Sequence, residues 1–149
     1  LVKYCHVVMG NVWSAHQLLG TQLNPALNED CEKAFYIQQS EIVSREIMDI
    51  YPNCRLVANT YRFSEGDAVR YYATLTNKQE HAVCKEHFTE TVVDKVGSGD
   101  CFMAGLIYGD LQHMNAIQQI NFAASAAFGK LQEIGDSTKQ SIEQIQSRY

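Results

Sequence analysis

A chain of 149 residues that is 46% hydrophobic and 19% charged has the make-up of one soluble globular domain, which excludes a disordered or fibrous chain. No apolar run reaches the roughly 18 residues of a membrane span, and a formal charge of −5 lacks the clustered Lys and Arg of a nucleic-acid surface. A cytoplasmic protein that meets neither membrane nor nucleic acid is expected, so an anionic ligand has to be held by local structure.

Leu1 is not a methionine and residues 4–9 (YCHVVM) already read as a strand, so the natural start is expected upstream. Gly10-Asn11 then leads into a short helix over residues 12–19, closed by Gly20. A longer helix is predicted over residues 28–51. Phe35, Val43, Ile47 and Ile50 recur near helical spacing there, Glu29 and Asp30 sit early, and Tyr51-Pro52-Asn53 stops it. Residues 55–60 (RLVANT) form the next strand. Residues 69–75 and 81–85 read as the arms of a β-hairpin, and residues 90–93 as a further short strand. Helices over residues 99–113 and 115–131 follow, with Phe102, Leu106, Ile117, Ile120, Ala124 and Ala127 on their apolar faces. Ser137-x-x-Gln140 resembles a capping box before a last short helix. This order implies an α/β layered domain with a mainly parallel central sheet flanked by helices. Cys5, Cys31, Cys54, Cys84 and Cys101 never form a C-x-x-C pair and read as buried free thiols, while the histidines show no metal-binding spacing.

The chemistry concentrates in Asp94-Lys95-Val96-Gly97-Ser98-Gly99-Asp100, set between a predicted strand and a predicted helix. Gly97 and Gly99 carry no Cβ to block close approach of a ligand, and they permit backbone angles that other residues avoid. Their amides and that of Ser98 can face one anion, and the helix that follows directs its unpaired N–H groups and positive dipole end to the same place. Asp100 sits at that helix mouth. A carboxylate beside a phosphate is unfavourable unless it accepts a proton from an incoming hydroxyl, the base role of phosphoryl transfer. Aspartate is also among the best N-caps, so a plain capping role for Asp100 stays open at this point.

Asp94, Gly97, Gly99, Asp100, Phe102 and Gly105 together resemble the signature of the ribokinase-like (phosphofructokinase-B type) carbohydrate kinases. The resemblance implies that Asp100 is the catalytic base, that Gly97, Ser98 and Gly99 form the anion hole, and that Asp94 serves a monovalent cation such as K⁺ or orders the loop. Lys95 and Val96 depart from the commoner threonine pair; Asp-x-Val-Gly-x-Gly-Asp is the variant associated with 2-keto-3-deoxygluconate kinases. Residues 57–62 (VANTYR) resemble the strand and loop that lead into the nucleotide site, making Thr60 and Arg62 candidate nucleotide contacts, although Arg62 as a solvated surface charge is an equal alternative. Residues 122–127 (FAASAA), with Gly135-Asp136 after them, resemble the small-residue helix flanking the adenine, with Ser125 as candidate contact; close helix packing is the plainer reading. After the first strand the family carries Asn-x-x-Glu, which helps order Mg²⁺ and phosphates. Here Asn11 is present as a candidate phosphate contact or simple turn residue, but Ser14 stands where the glutamate belongs, which puts metal affinity in doubt.

The resemblance spans nearly the whole chain and implies that residues 1–149 are the C-terminal portion of a single ribokinase-like domain, with the N-terminal portion, sugar pocket and lid upstream. It implies an ATP- and Mg²⁺-dependent kinase for a sugar or sugar acid, 2-keto-3-deoxygluconate giving its 6-phosphate, and leaves room for a homo-oligomer. An S-adenosylmethionine-binding loop also reads strand-Asp-x-x-Gly-x-Gly. That fold wants another strand ending in an acid after the motif helix, whereas helices follow here. The alternative from another class is a non-catalytic nucleotide-binding or sensor module on a degenerate kinase fold, which Ser14 supports.

Overall fold

The computed structural model describes residues 1–28 and 30–149, which divide into two compact units: residues 1–60 with 74–82, and residues 61–73 with 83–149. Hydrogen-bonded neighbours along the sheet run β1-β2-β3-β4, with β5 paired to β3. The α/β architecture expected from the sequence is present, with a mixed sheet.

In the first unit, β1 (Val7–Gly10) lies parallel to β2 (Leu56–Glu65), with Val7 opposite Leu56 and Gly10 opposite Asn59. β1 begins three residues later than expected because Val2–Tyr4 closes into a 3-10 turn, Cys5 N–H donating to Val2 O at 2.8 Å. Parallel neighbours need a long crossover, supplied by α1 (Val12–Leu19) and α2 (Lys33–Ile50). Gly20 ends α1 in the left-handed region at φ 74°. The expected start of α2 at residue 28 is displaced. Asn24 and Asn28 accept from the amides of Ala26 and Asp30, offering that backbone local turns instead of a helix. Glu29, expected in the first turn of α2, lies outside the described residues. α2 buries Tyr36, Val43 and Ile47, and two polar pairs fasten it to the strands: Asn59 Nδ2 to Ser44 Oγ at 2.9 Å, and Thr74 Oγ1 to Ser40 Oγ at 3.1 Å. The end of β3 (Ala68–Asn77) and most of β4 (His81–Val83) complete this unit, joined by the expected hairpin, where Asn77 N–H donates to Glu80 O.

The second unit holds three departures from expectation. β2 does not stop at Thr60 but runs on to Glu65 and turns through residues 66–67 into β3, with Tyr61 and Phe63 stacked on Tyr72 at 4.9 and 6.0 Å. The strand expected over residues 90–93 is instead β5 (His87–Thr89), antiparallel to β3 with Val69 opposite Thr89. The amides of Val93 and Asp94 leave the sheet to bond Leu131 O at 2.8 and 3.3 Å. α3 (Ser98–Leu111) packs closely on α4 (Ala116–Lys130): a Cβ on Gly105 would sit 2.6 Å from Ala123 Cα, and Gln119 Nε2 donates to Leu106 O at 2.8 Å. α5 (Ile142–Gln146) is capped by Ser141 and Gln144 rather than by Ser137 and Gln140; Gln140 Nε2 reaches Ala126 O instead. None of the five cysteines is in a disulfide, but only Cys54, Cys84 and Cys101 are buried.

Candidate active site

The start of α3 has no side-chain cap for its first amides. Gly97 is its N-cap, at φ 76° and ψ −4°, and supplies no side-chain cap. Two constraints keep this position glycine. The left-handed conformation strains any L side chain, and a Cβ would run into the Asp136 carbonyl group, 2.6 Å from its carbon. The first amide to close the helix is that of Cys101, onto Gly97 O at 2.9 Å. The amides of Ser98, Gly99 and Asp100 come before it, at the positive end of the helix dipole. Ser98 Oγ turns away and donates to Lys95 O at 3.0 Å.

Asp100 is the third residue of α3, so the N-cap role left open above belongs to Gly97. Its side chain is exposed and makes no hydrogen bond or ion pair among the described residues. It therefore stands beside the open amides with both oxygens available.

Asp94 is the opposite case. Its Oδ1 accepts from Val96 N–H at 3.0 Å and its Oδ2 from Gly135 N–H at 2.9 Å, and these amides, Val96 first, hold its carboxyl below the usual range. It ties the glycine turn to the loop after α4. The sequence marked Gly135-Asp136 in that loop but not the loop's contacts with the turn: Leu131 O receives two amides from the turn's approach, Gln132 Nε2 donates to Thr89 Oγ1 and Thr91 O, and Asp136 backs Gly97. A glycine shortly after a helix end is a signal for a tight turn, but nothing in the sequence said which segment it would touch. A cleft of about 530 Å³ opens beside this assembly, between the β2–β3 turn (Ser64, Gly66, Asp67, Val69) and residues 91–95.

In the first unit, Asn11 and Thr60 meet at Gly10. Asn11 caps α1, its Oδ1 accepting from Ser14 N–H at 2.8 Å, and Thr60 Oγ1 approaches Gly10 O at 3.5 Å. The Nδ2 group of Asn11 makes no hydrogen bond among the described residues. Arg62 is exposed on β2. Ser125 differs from expectation: it is fully buried in α4 with Oγ 3.3 Å from His87 Nε2, and His87 stacks on Phe128. Burial pushes His87 down to about 4. Ser125 has no exposed surface and its hydroxyl is turned to His87 of β5, so an adenine contact is not open to it as it stands. Among the described residues no group of three or more His, Cys, Asp or Glu is placed to hold a metal ion, and no helix is long and apolar enough to cross a membrane.

The pfkB family carbohydrate kinase profile matches residues 57–143. Among solved structures, the chain is similar to 2-dehydro-3-deoxygluconokinase from Thermotoga maritima, with 24% identity, a TM-score of 0.82, and coverage of 98% of this chain and 41% of that one. It is also similar to ribokinase from Thermotoga maritima (17% identity, TM-score 0.62, 98% and 42% covered). Adenosine kinase from Sinorhizobium meliloti is a third (20% identity, TM-score 0.63, 95% and 36% covered). These likenesses show a ribokinase-like fold, and this chain spans about two-fifths of the length of those proteins. Among curated proteins none matches the chain.

Proposed function

Because this chain belongs to the pfkB family of carbohydrate kinases, we propose that residues 94–100 are the phosphoryl-transfer site of an ATP-dependent kinase for a sugar acid, with 2-keto-3-deoxygluconate as substrate and its 6-phosphate as product. The observation that carries this reading is Asp100, an exposed carboxylate without a partner among the described residues, at the uncapped start of α3. The resemblance of Asp-x-Val-Gly-x-Gly-Asp to 2-keto-3-deoxygluconate kinases and the fold shared with 2-dehydro-3-deoxygluconokinase support the choice of acceptor.

Asp100 takes the proton of the acceptor hydroxyl as its oxygen bonds to the γ-phosphorus of ATP, while the bond from that phosphorus to the bridging oxygen breaks and ADP leaves. The amides at Gly97, Ser98, Gly99 and Asp100 stabilise charge on the phosphoryl oxygens. Asp94 keeps those amides in place by holding the glycine turn to Gly135. Mg²⁺ would be held mainly by the nucleotide phosphates and water, as this ion usually is in phosphoryl-transfer sites. Asp94 could join a monovalent cation only through lone pairs its two amides leave free. Thr60, Arg62 and Asn11 Nδ2 are the further nucleotide contacts in this reading.

Asp100→Asn in the full-length protein tests the assignment. Turnover of ATP and sugar acid should collapse while ATP still binds; turnover as fast as wild type would refute the base. Ser14, at the third position of α1 where an acid would help order the metal, favours the second reading, a nucleotide sensor without catalysis. ATP binding without turnover on any sugar or sugar acid would decide for the sensor.

A further inference from the structure

Lysine is almost never fully buried, because its ammonium loses strong hydration. Lys130 has 0% exposure. It occupies the last turn of α4, where carbonyls lack helical partners and a positive charge is favoured. Its Nζ donates to Glu133 O at 2.7 Å, across a turn whose other bonds run from Gln132 N–H to Gly129 O and from Glu133 N–H to Lys130 O. The Glu133 carboxylate is engaged elsewhere, accepting from Thr138 Oγ1 and Lys139 N–H. The ammonium thus serves the backbone of the turn.

That turn aims the rest of the loop. It presents Leu131 O to the amides of Val93 and Asp94, Gln132 to Thr89 and Thr91, Gly135 N–H to Asp94, and the Asp136 carbonyl to Gly97. The Lys130 charge also helps keep Asp94 ionised, after the Val96 and Gly135 amides. We propose that Lys130 is a positioning residue for the phosphate site: its buried ammonium sets the loop over residues 130–136, which in turn holds the glycine turn in its anion-binding form. The proposal rests on the phosphate-binding reading of residues 97–100.

The test uses the full-length protein with Lys130→Met, which keeps length and burial but not charge, and Lys130→Ala, which leaves room for a small amine. Amide exchange at Gly135 and Val96 is read together with the Kd for ATP. In Lys130→Met the Gly135 amide should exchange about tenfold faster and ATP should bind about tenfold more weakly, the loss of roughly one hydrogen bond. Ethylammonium should restore both in Lys130→Ala, and propanol should not. A space-filling role gives the reverse pattern, with Met harmless and the alcohol as good as the amine. Unchanged Gly135 exchange in Lys130→Met would overturn the proposal, as would two unfolded variants that ethylammonium fails to restore. If the wild-type protein binds no ATP, the phosphate reading fails, and Gly135 exchange still decides whether Lys130 sets the loop.

Discussion

The starts of α1 and α3 solve the same problem in opposite ways. Each helix begins with amides that have no helical partner. At α1, Asn11 bends its side chain over and accepts from Ser14 N–H at 2.8 Å. At α3, Gly97 has no side chain to offer, and its conformation is fixed by groups from residues 94 and 135–136. A capping side chain and an anionic ligand compete for the same donors. On the function proposed above, the helix whose cap is withheld is the one that holds a phosphate, with distant residues doing the work of the missing cap. The third position of each helix carries the same contrast, with Ser14 in one and the exposed carboxylate of Asp100 in the other.

Removing the charge at that third position is the largest way to break the contrast. Asp100→Asn should lower kcat by about 10²- to 10⁴-fold, with a much smaller change in ATP affinity, as read by steady-state kinetics and calorimetry. Next comes Gly97→Ala, which forces a side chain into a left-handed position and against Asp136. A destabilisation of about 1–3 kcal/mol is expected by urea unfolding, together with weaker ATP binding. Gly10→Ala, before α1, meets nothing within 4 Å and should be far milder.

The α3 side also rests on a pH-sensitive support. His87 is held neutral by burial, with its folded value pushed down to about 4, against an unfolded value of about 6.5. Between those values the unfolded chain binds the extra proton, so stability is fully present above about 6.5 and falls as pH drops toward about 4. Urea midpoints across that window should show the slope, and His87→Gln should flatten it. The smallest effect is expected from Ser14→Glu, which completes a capping box at α1 and should add about 0.3–1 kcal/mol to stability by the same measurement.

What could be read from the sequence was local. The helix that opens directly after the glycine turn, the extent of α1 and its glycine stop depend on residues near one another in the chain, and those expectations match the structure. The strand expected at residues 90–93 had the right β-branched residues, but Leu131, nearly forty positions away, takes the amides of Val93 and Asp94. Ser137-x-x-Gln140 and Ser141-x-x-Gln144 are the same pattern, and the choice falls to the one that lets Ile145 pack with Phe122 and Ala126. Ser125 faces His87 of β5 while Ala123, two positions earlier and on the other side of α4, faces Gly105 of α3, a distinction that a run of small residues does not mark. Extension of β2 to Glu65 was legible in the exposed Arg62 and Ser64 alternating with Tyr61 and Phe63, followed by Gly66-Asp67. The loop over residues 131–136, which frames the site, carried almost no local mark beyond Gly135.

On the proposed function, the uncapped start of α3 binds the phosphates of ATP. Backbone amide chemical shifts of the full-length protein, followed while Mg²⁺ and ATP are added, test it most directly. The largest saturable changes are expected at Ser98, Gly99 and Asp100, with Ser14 N–H, already held by Asn11, moving far less. Saturable ATP binding that leaves residues 98–100 unmoved would contradict it.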